Sequence, residues 1–454
     1  MLMQELGCSA VFSAFYLLFS LSTMLINAKV ALVYGSGLVS LFYAIGLVTM
    51  AVGFIAFGLT FRFTKIRRVK LLLAGILYAV SLLCLLFLDS LSLVTVSFLI
   101  CPFAYGFIGG SVHLHTAERL CESTNKGKVV GGGYCLTVFV QFFIQHVSPN
   151  PVVLAALLLA VLVLVLWQNL RDADLCSSLN KTDLPEKSHD GKLWTSVAIV
   201  AAVALIAGIY DGMSARLYAE NAIDLVGWTR LMVGVGAVIS GFLFDRKRHM
   251  QINIIILCAA LANTVAILLL STAQSYLAAQ LLFTSGMGFY IVYVLVSFID
   301  SAPQNKNPAL WAGAGRIAHS LALSVTTALA GIFGSMQPVV LDIIGIVMFL
   351  ITLLLFVFSG RLSLPAESPH QTDADVLTDD KLICLFSAQY HLTQRETEVF
   401  EKLITTEDVV QEIADSLYIS RRVLQRYITA IYEKTGTKTR IGLFQSFMDF
   451  KKKK

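Results

Sequence analysis

Repeated apolar runs, each long enough to cross a bilayer, dominate the first 360 residues and restrict what they can fold into. About 20 helical residues span roughly 30 Å of hydrocarbon. Stretches of that length fall at 8–27, 36–60, 70–89, 91–111, 129–148, 151–169, 193–213, 226–244, 252–271, 276–299, 312–335 and 338–359. With no water in that layer, each backbone N–H and C=O must bond within its own segment, so such runs are helices. Hydrophobic residues are 57% and charged residues 14% of the 454, against roughly a quarter charged in a soluble domain. The expected fold class is all-α: a polytopic membrane helical bundle of about twelve spans over 1–360, in contact with the lipid bilayer. The run at 8–27 is read as the first span and not as a signal peptide, since no basic residue precedes it and no small-x-small site follows. The eight cysteines show no C-x-x-C pair and read as packing residues, with no disulfide or metal implied.

Basic residues set the orientation. Arg62, Lys65, Arg67, Arg68 and Lys70 follow the second run, Arg119, Lys126 and Lys128 surround the loop after the fourth, and Arg246, Lys247 and Arg248 follow the eighth. The opposite loops hold only Lys29, Arg216 and Arg230. By the positive-inside rule both termini are expected on the cytoplasmic side.

A polar loop at 170–192 divides the runs six and six, giving halves 1–169 and 193–360. Each half carries a related local pattern: Gly58-Leu-Thr-Phe-Arg62 after the second run, and Gly241-Phe-Leu243-Phe-Asp245-Arg246 after the eighth. These residues resemble the cytoplasmic loop motif of the major facilitator superfamily, G-x-L-x-D-R-x-G-R-R. The resemblance implies a transporter-like bundle of two similar halves, with the acid seated on a helix end as a conformational latch. The second copy keeps that acid as Asp245, whereas Arg62 replaces it in the first, which weakens the case for an intact transport cycle. Both copies also read simply as basic juxtamembrane anchors.

Ionisable residues inside spans are costly and therefore candidates for a ligand site. Arg316 and His319 lie one turn apart on the eleventh run, with Asp211, Asp342, Gln141, Gln145 and His146 on others. A pocket of Arg316, His319, Tyr290 and Tyr293, with Asp211 and Gln141, suits an anionic or phenolic small molecule. The alternative is interhelical hydrogen bonding, or an Arg316 that reaches the cytoplasmic edge. Enzymatic activity is not expected. Gly436-Thr-Lys438-Thr439 lacks the first glycine of a phosphate loop, and His113 and His115 point to different helix faces without a metal-binding partner. No cofactor is implied.

After Gly360 the composition turns polar, and 361–385 reads as a linker to a unit at 386–454. Thr393 and Glu396 form a capping box, and Val399, Phe400 and Leu403 make the buried stripe of its helix. A second helix is expected from near Asp408, with Ile413 and Ala414 inward. A third is capped by Ser420, with Leu424, Ile428 and Ile431 inward, and ends at Gly436. A fourth, capped by Thr439, carries Leu443 and Phe447. Net charge is −8 over 361–419 and +8 over 420–454. One end therefore repels phosphate and the other attracts it.

Leu392, Thr393, Arg395, Glu396, Glu398 and Val399, then Glu412, Ile413, Ala414, Leu417, Ile419 and Ser420, then Ile431, Lys434, Gly436, Lys438 and Arg440 resemble the LuxR family's DNA-binding domain. The resemblance covers about the last sixty residues. It implies a four-helix helix-turn-helix unit that dimerises on double-stranded DNA, with Ser420, Arg421, Arg422, Gln425, Arg426, Tyr427, Thr429, Lys438 and Arg440 at the interface. The family's Thr, Lys and His in the recognition helix are Val423, Gln425 and Tyr427 here. Fused to such a bundle, the domain resembles membrane-bound regulators of bacteria and implies the cytoplasmic membrane. The expected function is a one-component transcriptional regulator whose bundle senses a small molecule; the alternative is a secondary transporter with a cytoplasmic regulatory tail.

Overall fold

The computed structural model describes residues 2–61, 67–88, 90–147, 150–171, 190–219, 222–224, 227–246, 249–271, 275–333, 338–361, 379–405, 408–417 and 419–453. The described secondary structure is helical throughout, and the chain divides into two compact units, Met1–Leu364 and Pro365–Lys454.

The first unit contains twelve long helices: α1 (Leu2–Tyr34), α2 (Val39–Thr60), α3 (Arg67–Phe87), α4 (Leu91–Arg119), α5 (Lys126–Val147), α6 (Pro151–Arg171), α7 (Asp190–Ala219), α8 (Leu231–Asp245), α9 (His249–Ser271), α10 (Tyr276–Ser301), α11 (Pro308–Phe333) and α12 (Pro338–Phe358). Several outrun the apolar stretches because nothing in the sequence stops them. α1 continues to Gly35, whose φ of 88° suits only glycine. Eleven helices among the described residues are long and apolar enough to cross a membrane. The twelfth, α11, is 26 residues long but spends part of its length on Arg316, His319, Ser320, Ser324, Thr326 and Thr327, all buried. Its polarity is tolerable because α2, α4, α7 and α10 surround it.

Helix pairing shows the internal repeat. α2 packs on α4, α3 on α4, α1 on α5 and α3 on α6, and the same pairs recur six helices later as α8 on α10, α9 on α10, α7 on α11 and α9 on α12. α2 against α11 and α5 against α8 join the halves, again related by the six-helix offset. Small residues permit the closest approaches. A Cβ on Gly106 would lie 2.1 Å from Met50 O, and one on Gly288 would lie 2.3 Å from Val233 O, so α2–α4 and α8–α10 are held at backbone contact by equivalent glycines.

The second unit holds α13 (Asp379–Gln389), α14 (Gln394–Thr405), α15 (Val410–Ser416), α16 (Arg421–Thr435) and α17 (Arg440–Lys453). The linker expected over 361–385 is structured at both ends. Arg361 donates to Tyr293 Oη at 2.6 Å and Ser196 Oγ at 2.8 Å within the first unit. At the other end α13 sends Leu382, Ile383 and Phe386 into the core of the second. Five helices therefore replace the four expected. Phe386 stacks on Phe400, with centroids 4.8 Å apart and planes at 7°, and Phe447 and Phe450 meet it edge-on. Residues 362–378 and most of the loop 170–192 lie outside the described residues.

The capping box forms: Thr393 N–H donates to Glu396 Oε2 at 2.6 Å, and Glu396 N–H to Thr393 Oγ1 at 3.4 Å. Lys434 from α16 also donates to Glu396 Oε2, at 2.6 Å, and to His391 O at 3.1 Å. One buried carboxylate thus ties the start of α14 to the end of α16. Burial alone would raise its pKa, but the bonds from Lys434 and Thr393 outweigh burial and hold Glu396 below the usual carboxylate range. A depressed folded-state value adds stability that is complete above the ordinary glutamate range and lost as pH falls through the folded value. A fragment spanning 379–454 should melt lower as acid is added. Glu396→Gln should lower its melting temperature at neutral pH by about 5–15 °C and flatten the acid limb, as calorimetry would record.

Candidate functional site

Arg316, one turn from His319 on α11, is 6% exposed. Its guanidinium lies over two α1 rings, 5.6 Å from the Tyr16 centroid and 5.2 Å from that of Phe19. Among the described residues it has no carboxylate or hydrogen-bond acceptor in reach, so the rings are its only structural compensation. Tyr16, Tyr105, Tyr134 and Tyr43, from α1, α4, α5 and α2, stand within range of its charge.

Two tyrosine–histidine pairs flank it. His113 Nδ1 is 2.8 Å from Gly109 O and its Nε2 is 3.0 Å from Tyr16 Oη. A carbonyl can only accept, so Nδ1 carries a proton, and in the neutral ring Tyr16 donates to Nε2. Tyr290 donates to Val200 O at 2.8 Å and sits 3.1 Å from His319 Nδ1, which then donates to the phenol oxygen. Arg316, whose guanidinium keeps its proton at any physiological pH, is the fixed positive charge between them. Buried polar atoms without a protein partner lie on the surrounding helices: Ser320 Oγ and Thr327 Oγ1 on α11, and Gln141 Nε2 on α5.

The predicted ligand residues do not all converge. Arg316, His319 and Tyr290 form one cluster. Tyr293, one turn from Tyr290, instead accepts from Arg361. Asp211, half-buried on α7, lies within electrostatic range of Arg230 and of Tyr43. Asp342 accepts from Ser271 at 2.7 Å and joins α9 to α12. Sequence reading missed Tyr16, Phe19, Tyr43, Tyr105, Tyr134 and His113. No spacing separates such aromatics from packing residues, and only α11's charge marks where to look.

The motif acid behaves as its resemblance implies. Asp245 Oδ1 accepts from Gly127 N–H at 2.7 Å and Oδ2 from Lys128 N–H at 2.9 Å, placing its charge on the N-terminus of α5. A Cβ on Gly241 would fall 2.4 Å from Gly127 O, so glycine is needed for that approach. Lys126 pairs with Asp300 beside it. At the equivalent start of α11, Gly58 meets Leu310, and Asn307 Oδ1 accepts from Leu310 N–H at 3.4 Å; Arg62 lies outside the described residues.

In the tail, Ser420 Oγ accepts from Val423 N–H at 3.4 Å and opens α16. Arg421, Arg422, Gln425, Arg426 and Thr429 are exposed on that helix, and Lys438 is exposed beyond it. Two of the proposed contact residues point elsewhere. Tyr427 packs against the tail's core, and Arg440 donates to Leu403 O at 2.8 Å and Asp408 O at 2.7 Å, bracing the loop after α14.

No protein-family model matches the sequence, and no curated protein matches it at a significant level. Solved structures that resemble it include the human organic anion transporter MFSD10 (TETRAN), with TM-score 0.55 and 16% identity over 78% of this chain and 97% of that one. Another is an auto-inhibited peptide transporter of the POT family, with TM-score 0.53 and 11% identity over 81% and 98%. The bundle has a major-facilitator-like fold.

Burying a charge without a counter-ion costs several kcal/mol, of which ring contacts return a part. Arg316→Leu is therefore expected to stabilise the purified protein in detergent by on the order of 1 kcal/mol, read as a higher thermal midpoint. A fall would mean that Arg316 holds the bundle together and is not kept for a ligand.

Proposed function

We propose that the bundle binds a small organic anion at Arg316 and moves it across the membrane, with the C-terminal unit as a cytoplasmic regulatory tail. The observation that carries this is a buried guanidinium without an acidic partner, at a point where six helices contribute side chains. The shared fold supports it, since both structural neighbours above are transporters and one is named for organic anions. In proteoliposomes, uptake of labelled organic anions should saturate in the wild type and fall by about tenfold or more in Arg316→Gln, with insertion unchanged. Uptake equal in the two proteins would remove the reading.

A second reading, that the tail binds DNA and the bundle senses the anion, is favoured by one observation: the exposed basic face of α16, where Arg422, Gln425, Arg426 and Thr429 line an open hollow. On this reading a 379–454 fragment binds the DNA upstream of its own coding sequence, with affinity falling steeply as salt rises. Arg421→Ala/Arg422→Ala should reduce the slope of log affinity against log salt by about 2 per protomer. Saturable transport together with a fragment that ignores DNA at low salt leaves the transporter alone standing.

A further inference from the structure

A narrow cavity runs along α1 next to the Phe19 ring that the Arg316 guanidinium overlies. Phe19, Tyr43 and Tyr105 line its near end. Arg316 lies over the first of these rings, and the other two are within range of its charge. Asn27 lines the cavity two turns further along α1, and its Oδ1 is buried without a protein partner. Between them the walls are largely apolar, with Ile26, Leu47, Met50 and Phe98.

The eight helical steps from Phe19 to Asn27 rise about 12 Å along the helix axis. The cavity offers about 40 Å³ to the centre of a water molecule. Spread over that length and widened by a water radius, this is a bore on the order of 5 Å across. Such a bore accepts one extended alkyl chain and is narrower than the face of an aromatic ring.

We infer that cavity and guanidinium form one site for an unbranched medium-chain carboxylate of about eight carbons. Its carboxylate pairs with Arg316, its methylenes follow α1, and a terminal hydroxyl donates to Asn27 Oδ1. The inference rests on the anion site proposed above and adds the ligand's shape. A single fixed charge at the near end selects a monoanion, and the unpartnered acceptor at the far end selects a hydroxyl over a methyl group.

The test uses the full chain in lipid nanodiscs, with octanoate, 8-hydroxyoctanoate, octylamine and benzoate as probes, read by calorimetry. 8-Hydroxyoctanoate should bind several-fold tighter than octanoate, octylamine should show no saturable binding, and Arg316→Gln should weaken both acids by about tenfold or more. Asn27→Leu should remove the preference for the hydroxyl, so that the two chain acids bind alike. Leu47→Trp fills the bore and should lose both chain acids while keeping benzoate; Thr23→Phe, at a half-buried wall position, makes the same test should Leu47→Trp misfold. Octylamine binding as tightly as octanoate, or octanoate affinity unchanged in a bore-filling variant that folds, overturns the inference. Arg316-dependent benzoate binding without chain-acid binding leaves the anion site standing and sinks the chain site, whereas no binding of any acid sinks both.

Discussion

A positive charge buried in a membrane bundle has to be surrounded before it can be kept, and Arg316 imposes that demand on the first unit. Its helix buries a run of polar side chains from Arg316 to Thr327, and α2, α4, α7 and α10 pack around it. Tyr16 and Phe19 meet the guanidinium with their rings. Cation–π contacts return about 2 kcal/mol or more in a desolvated site, against the several that burial of the charge costs. The remaining cost is what an anionic ligand would offset. The two neighbouring histidines are held in place by Nδ1, His113 on the carbonyl of Gly109 and His319 on the phenol of Tyr290.

Bringing α11 to the centre depends on how the halves meet. α2–α11 and α5–α8 are the same contact seen twice, related by the internal repeat. Their chemistry differs. At α5 the Asp245 carboxylate sits on two helix N–H groups, a charge where the helix dipole favours it. At α11 the amide of Asn307 makes a weaker, neutral bond. At α5 a carboxylate from α8 therefore bridges the two halves, and at α11 the described residues show the close packing of Gly58 on Leu310.

The tail was largely legible in advance. Its capping box, the serine that opens α16, the glycine that ends it and the inward stripes are local features, and local chemistry reads directly from sequence. What escaped was α13, since Asp379–Gln389 follows a polar run and needs Phe400, Phe447 and Phe450 to bury Phe386. The double use of Glu396, as a cap and as the partner of Lys434, also joins residues 38 apart. Arg440 has a structural use that its charge did not announce. A basic residue near a basic helix reads as a phosphate contact, but two carbonyls already occupy its guanidinium.

Apolar runs of about 20 residues determined that most of this chain is a helical membrane bundle, because lipid leaves the backbone no other means of satisfying its polar groups. The six-and-six division and the motif at Gly241–Asp245 were equally visible in the chain itself. Which polar residues share a site was not. Arg316 and His319 announced themselves by charge, but Tyr16, Tyr43, Tyr105 and Tyr134 come from four other helices and look like packing residues in isolation. Tyr293, one turn from Tyr290, belongs with Arg361 instead. Helix periodicity gives the face a residue occupies, and only the packing of the helices decides what that face meets.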